Sequence, residues 1–178
     1  MAQLKIISGN PKSGKSGLLT ASANNDPAGV YLGRNNDELG GFQKQSRAMS
    51  LESTVPFIFI RDKIPTMEDI LKQAPAAKTI YVDEAQHGTP IKDAIFGYLN
   101  AGYDVTAGGV MHFWEGTTPL MERADKIIIV EGGVMDLDNP SQETLGKRKK
   151  LLNEHLARYA GKITFVDFAK LYRPETCR

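Results

Sequence analysis

Two short stretches carry residue types, at spacings, that suit chemistry on a nucleoside triphosphate. Residues 9–16 read Gly-Asn-Pro-Lys-Ser-Gly-Lys-Ser and follow the apolar run Leu4–Ser8 directly. Gly9 and Gly14 let the backbone turn tightly, with no side chain between its N–H groups and a phosphate. A helix starting near Gly14 adds the positive end of its dipole at the same place. In that setting Lys15 is expected on the β- and γ-phosphates and the Ser16 hydroxyl on Mg²⁺. The whole expected nucleotide contact is Gly9, Asn10, Pro11, Lys12, Ser13, Gly14, Lys15, Ser16 and Gly17.

The second stretch, Thr79-Ile80-Tyr81-Val82-Asp83-Glu84, is an apolar strand ending in two carboxylates. Side chains alternate along a strand, so the two acids are expected on opposite sides. Asp83 then faces Mg²⁺ behind the phosphate loop, and Glu84 faces whatever attacks the γ-phosphate. With a substrate hydroxyl as attacker, Glu84 is the general base of a kinase; with water, it is the base of an ATPase.

The elements that must hold these groups alternate. Strands are expected at Leu4–Ser8, Val30–Leu32, Phe57–Ile60, Thr79–Val82, Val105–Val110, Lys126–Val130 and Ile163–Val166. Helices are expected from Gly14 to about Asn24, over Thr66–Gln73 with Thr66 as cap, over Ile91–Ala101, around Pro119–Ala124 and over Gln142–Tyr159. Residues 33–54 and 132–140 read as loops. Strands alternating with helices imply an α/β fold, a mostly parallel sheet with helices on both faces and right-handed crossovers. Ligands of such sheets sit at the carboxyl ends of the strands. With the preceding strand and following helix, the glycine-rich turn reads as a P-loop (Walker A) in a single P-loop NTPase domain spanning residues 1–178.

Composition narrows the partners. The 178 residues carry 22 Lys plus Arg against 21 Asp plus Glu, so overall charge gives no argument for nucleic acid or a membrane surface. No apolar run reaches transmembrane length, and the expected setting is the cytoplasm without a membrane partner. One cysteine, Cys177, and three histidines cannot build a cysteine-based zinc site, so no structural zinc is expected and the cofactors are ATP (or GTP) and Mg²⁺.

The acidic motif continues as Asp83-Glu84-Ala85-Gln86, and here the chain resembles the zinc-bearing (type II) thymidine kinases. The similarity runs in chain order over about two thirds of the sequence: the opening strand and Gly-Lys-Ser loop, Ser46-Arg47 before the third strand, Asp-Glu-Ala-Gln, residues 109–116, Ala124-Asp125-Lys126, and finally Tyr172 and Cys177-Arg178. The resemblance implies a RecA-like fold, often oligomeric, with residues 131–178 covering the acceptor. It implies that Glu84 takes the proton from a sugar hydroxyl and that Arg47 lies near the phosphates, so the catalytic set is Glu84, Lys15 and Arg47. Gln86, His87, Phe113, Trp114 and Tyr172 are then expected on the acceptor.

The chain also departs from that family. His87 stands where the family has phenylalanine, Phe113-Trp114-Glu115-Gly116 where it has Asp-Phe-Arg-Gly, and its four zinc cysteines are missing. These departures cluster where a nucleoside would be gripped. The leading expectation is an ATP-dependent kinase acting on a hydroxyl of a thymidine-like deoxynucleoside. One rival is a kinase for 5-hydroxymethyl-pyrimidines in DNA; the other is a RecA-like ATPase that moves DNA or protein and uses Arg34, Arg47 or Arg123 as a finger. Several groups read two ways. Phe113 and Trp114 stack on a base or pack in the core; His87 bonds the acceptor or lines the rim; Lys147–Lys150 grips a nucleic-acid backbone or is a solvated helix face.

Overall fold

The computed structural model describes residues 1–10, 13–34, 54–60, 63–111, 115–131 and 142–167. Seven strands form one sheet: β1 (Leu4–Gly9), β2 (Gly29–Arg34), β3 (Phe57–Ile60), β4 (Thr79–Val82), β5 (Asp104–Gly109), β6 (Lys126–Val130) and β7 (Ile163–Val166). Their order across the sheet is β3-β2-β4-β5-β1-β6-β7, and every pairing is parallel. A parallel sheet covered on both sides needs strands that are apolar on both faces. The Lys-Ile-Ile-Ile-Val of β6 is buried at all but its first residue.

Five helices flank the sheet among the described residues: α1 (Lys15–Asn24), α2 (Met67–Gln73), α3 (Thr89–Asn100), α4 (Thr118–Arg123) and α5 (Gln142–Arg158). Leu19 and Ala23 of α1 pack on Ile7, Tyr31, Tyr81, Ile128 and Val130 on one face. On the other face Ile70 of α2, Ile91 and Ile95 of α3, and Leu120 and Met121 of α4 cover Leu4, Ile6, Leu32, Ile80 and Val82. Alternate residues of one strand thus serve two cores, as a pleat of period two requires. None of the described helices is long and apolar enough to cross a membrane.

The α/β reading and the strand positions hold, with shifted ends. β2 runs on through Gly33 and Arg34, which the sequence reading left in a loop, because these residues pair with Phe59 and Ile60 of β3. α3 starts at Thr89, two residues early, since Pro90 fits the first turn of a helix. Thr66 does cap α2: its hydroxyl accepts from Asp69 N, and the Asp69 carboxylate accepts from Thr66 N in return. The amino ends of the strands are fastened by carboxylates, Asp125 Oδ2 accepting from Leu4 N at 2.7 Å and Asp104 Oδ1 from Gln3 N at 2.8 Å. The opposite edge, where every strand ends, carries the glycine-rich turn after β1 and the acid pair after β4.

Candidate functional site

Strand order decides what can meet at that edge. β1 leads into the glycine-rich turn and β4 into the acid pair, and β5 lies between them. Two strand spacings come to about 10 Å, so side chains from β1 and β4 can touch only across a β5 end that offers no bulk. That end is Gly108-Gly109. A Cβ at residue 108 would lie 2.9 Å from Leu19 Cδ2 and 3.5 Å from Asp83 Oδ1, and one at residue 109 would strike the Gln86 side chain.

The turn itself is tight. Gly14 has φ 94° and precedes α1, whose first residue is Lys15, so this position needs a glycine. A Cβ at Gly9 would meet Ser13 Oγ at 2.5 Å and the Val130 carbonyl at 2.8 Å. Ser13 Oγ is buried with no hydrogen-bond partner among the described residues. Lys15 is buried (8% exposed), and its ammonium donates to the Asn10 carbonyl at 2.8 Å. Burial lowers the Lys15 pKa against the pull of Glu84 and Asp83. A buried cation and an unpartnered hydroxyl beside a helix N-terminus fit an anion with several oxygens.

Across β5, Ser16 Oγ donates to Asp83 Oδ1 at 3.3 Å, and Glu84 N donates to the same oxygen at 2.9 Å. The Tyr31 hydroxyl, on β2, donates to Asp83 Oδ2 at 3.0 Å. Burial drives the Asp83 pKa up to about 6, Glu84's negative charge adds to this, and the three hydrogen bonds oppose it. The expected separation of the two acids is present, but alternation along a strand is not its cause. β4 ends at Val82, and Glu84 takes a left-handed backbone, φ 56°. Its Oε2 accepts from the Gln86 side-chain amide and lies 3.3 Å from His87 Nε2. Burial raises the Glu84 pKa, but the hydrogen bonds from His87 and Gln86 and the charge of Lys15 outweigh it, leaving the carboxyl below its usual value.

Lys15, Ser16, Asp83 and Glu84 are therefore brought together, with Gly9, Asn10, Ser13, Gly14 and Gly17 in or beside the turn. The side chains of Gln86 and His87 both lie against the Glu84 carboxylate. Pro11, Lys12, Arg47, Phe113, Trp114 and Tyr172 lie outside the described residues, as does the side chain of Arg34. Arg123 points away from this site: it binds the Ala2 carbonyl at 3.1 Å and Asp125 at 3.3 Å, at the amino ends of the strands. Lys150 is exposed and lies 3.8 Å from Glu154. Sequence reasoning missed Tyr31, which reads as an ordinary strand aromatic, and the Gly108-Gly109 pair. Two adjacent glycines closing an apolar strand were the available signal for the latter.

A Mg²⁺ ion fits this donor set in a specific way. No three His, Cys, Asp or Glu side chains cluster as a metal site among the described residues. One hydroxyl and one carboxylate, Ser16 and Asp83, suit a hard cation that keeps several waters and takes its remaining ligands from phosphates.

The metal-free protein should show the cost of Asp83. Its folded pKa of about 6 lies above the ordinary carboxylate value of 3.8, so the fold binds this proton more tightly than the unfolded chain does. The Asp83 contribution to stability should accordingly rise as pH falls from about 7 to 4 and be lowest above pH 6. Asp83→Asn should stabilise the unliganded protein at pH 8 by on the order of 2–3 kcal/mol, with the gain fading below pH 5. Thermal midpoints of both proteins across that range check this; an unchanged midpoint at pH 8 would refute it.

In comparisons with known proteins, the chain matches no family model and no curated protein.

Proposed function

We propose that this chain is a P-loop phosphotransferase of RecA-like type that moves the γ-phosphoryl group of ATP to a hydroxyl of a nucleoside-like acceptor. One observation carries the reading. Two adjacent acids are divided between two tasks, Asp83 bonded to Ser16 of the glycine-rich turn and Glu84 turned aside at φ 56° with its carboxylate held separately.

The residues divide the work as follows. Backbone N–H groups of residues 13–16 and the α1 N-terminus hold the phosphates, and Lys15 exchanges the Asn10 carbonyl for phosphate oxygens. Bound Mg²⁺, held by Ser16 and Asp83, would supply neutralisation of the charge developing on the transferred group. Tyr31, whose pKa burial and Asp83 push well up, stays a donor and fixes the Asp83 carboxylate. Glu84, held low, is ionised at neutral pH and accepts the acceptor's hydroxyl proton. The hydroxyl oxygen bonds to the γ-phosphorus, the bond to the β–γ bridging oxygen breaks, and ADP leaves.

The deciding assay uses γ-labelled ATP with Mg²⁺ and three acceptors in separate reactions: a panel of nucleosides, DNA containing 5-hydroxymethyl-pyrimidines, and water alone. Label appearing on a nucleoside is the expected result. Label on the DNA moves the acceptor to a base within a polymer. Release of free phosphate with no labelled acceptor makes the chain an ATPase and ends the kinase reading.

A further inference from the structure

We infer that Gln86 is a positioning residue that ties the Glu84 carboxylate to the carboxyl end of β5, and not a contact to the acceptor. The inference rests on the phosphotransferase reading for its kinetic consequence, and on the hydrogen bonds alone for its geometry.

A glutamine side chain offers one carbonyl acceptor and one NH₂ donor group, and here both are engaged. Gln86 Oε1 accepts from Val110 N at 3.2 Å, and Gln86 Nε2 donates to Glu84 Oε2. These partners also fix which end of the amide is which. Flipping it would set NH₂ against the Val110 N–H and oxygen against a carboxylate. The amide lies against Gly109, where any Cβ would strike Gln86 Oε1. Turning the amide away towards an acceptor would break both bonds and leave a space that only a glycine provides.

The segment around it shows why such a tie is needed. Glu84 is the one described non-glycine residue with positive φ, a conformation that persists only where the surroundings over-determine it. The turn is pinned to β5 by Ala85 N donating to the Gly108 carbonyl at 2.9 Å, and closed by His87 N donating to the Glu84 carbonyl at 3.1 Å. The backbone alone leaves the Glu84 side chain free to rotate; Gln86, together with His87, removes that freedom. Both donors, Gln86 Nε2 and His87 Nε2, converge on Oε2, which leaves Oε1 as the oxygen turned to the acceptor proton.

The end of β5 also reaches the other way. Met111 N donates to Ser8 Oγ at 2.9 Å, and Ser8 immediately precedes the glycine-rich turn. Two consecutive N–H groups thus hold opposite halves of the site, Val110 the base through Gln86 and Met111 the phosphate turn through Ser8. The separation of base and phosphate is set by one rigid strand end.

The test uses the full chain and two readouts. In ¹⁵N-labelled protein without nucleotide, the Gln86 side-chain NH₂ signals should exchange slowly and shift on Glu84→Gln. Kinetically, Gln86→Met keeps the length of the side chain and removes both bonds. Single-turnover transfer of the γ-phosphoryl group to thymidine as acceptor probe, or to water if the chain is an ATPase, should fall about tenfold, with MgATP affinity and thymidine KM within about twofold. In a Glu84→Gln background the same change should add less than about twofold, because the group it positions is gone. A rise in thymidine KM at unchanged kcat would make Gln86 an acceptor contact and overturn the inference. So would NH₂ signals indifferent to Glu84→Gln, or a full additive loss in the double variant. Should Glu84→Gln itself react at the wild-type rate, the base assignment fails, and the NH₂ signals still decide the tie separately.

Discussion

Replacing Glu84 by glutamine is expected to slow γ-phosphoryl transfer by about 10²–10⁴-fold, the usual range for losing a general base. The substitution keeps the side-chain shape and the φ of 56° that residue 84 must adopt. Its amide oxygen can still accept from Gln86 and His87, so the turn from 83 to 88 should keep its form. Lys15, Ser16 and Asp83 are untouched, and nucleotide affinity should stay within about twofold of wild type. The loss therefore belongs in kcat. In a kinase it falls on transfer to the acceptor, while slow background hydrolysis changes little; in an ATPase it falls on hydrolysis itself. Rapid-quench measurement of labelled product under single turnover, alongside nucleotide titration, separates these cases. Wild-type transfer by Glu84→Gln would remove the central residue of the mechanism.

The second large effect is that of Lys15→Ala. Lys15 is a buried ammonium whose pKa is pulled down by its own burial, so it is poorly accommodated until an anion arrives. Without nucleotide the variant should melt no lower than wild type. With nucleotide the two should diverge. A ligand at 100 times its Kd stabilises by about 2.7 kcal/mol, which for a domain of this length raises the thermal midpoint by about 5–10 °C. That MgATP-dependent rise should vanish in Lys15→Ala at the same concentration, and transfer should fall by about 10²-fold or more. Thermal scans with and without MgATP, plus the label assay, check both halves. A full nucleotide shift in the variant would mean the phosphates bind elsewhere.

Much of this was legible in the sequence because it is local. Gly9, Gly14, Lys15 and Ser16 sit within one turn, and the strand before them and helix after them follow from apolar pattern and punctuation. The Thr66 cap reaches only to Asp69, three positions along the chain, and depends on nothing distant. The acid pair was legible for the same reason, as two carboxylates closing an apolar strand. Its geometry was not. Alternation describes a continuing strand, and the chain leaves β4 at Val82, so the direction of Glu84 comes from a left-handed backbone built against β5.

The sequence by itself thus determined which residues can carry charge, bend or accept a proton, and that strands alternate with helices. Tertiary structure alone decided which of them meet. The Tyr31 hydroxyl reaches Asp83 over 52 residues, Ser16 reaches it over 67, and Met111 reaches Ser8 over 103. The Ser16 contact depends on β5 entering the sheet between β1 and β4 and ending in two glycines, whereas Tyr31 comes from β2, beside β4, and Met111 follows β5, beside β1. Propensity acts on neighbours along the chain, whereas strand order follows from burying both faces of one sheet at once. That global condition brought Gln86 between Glu84 and the end of β5.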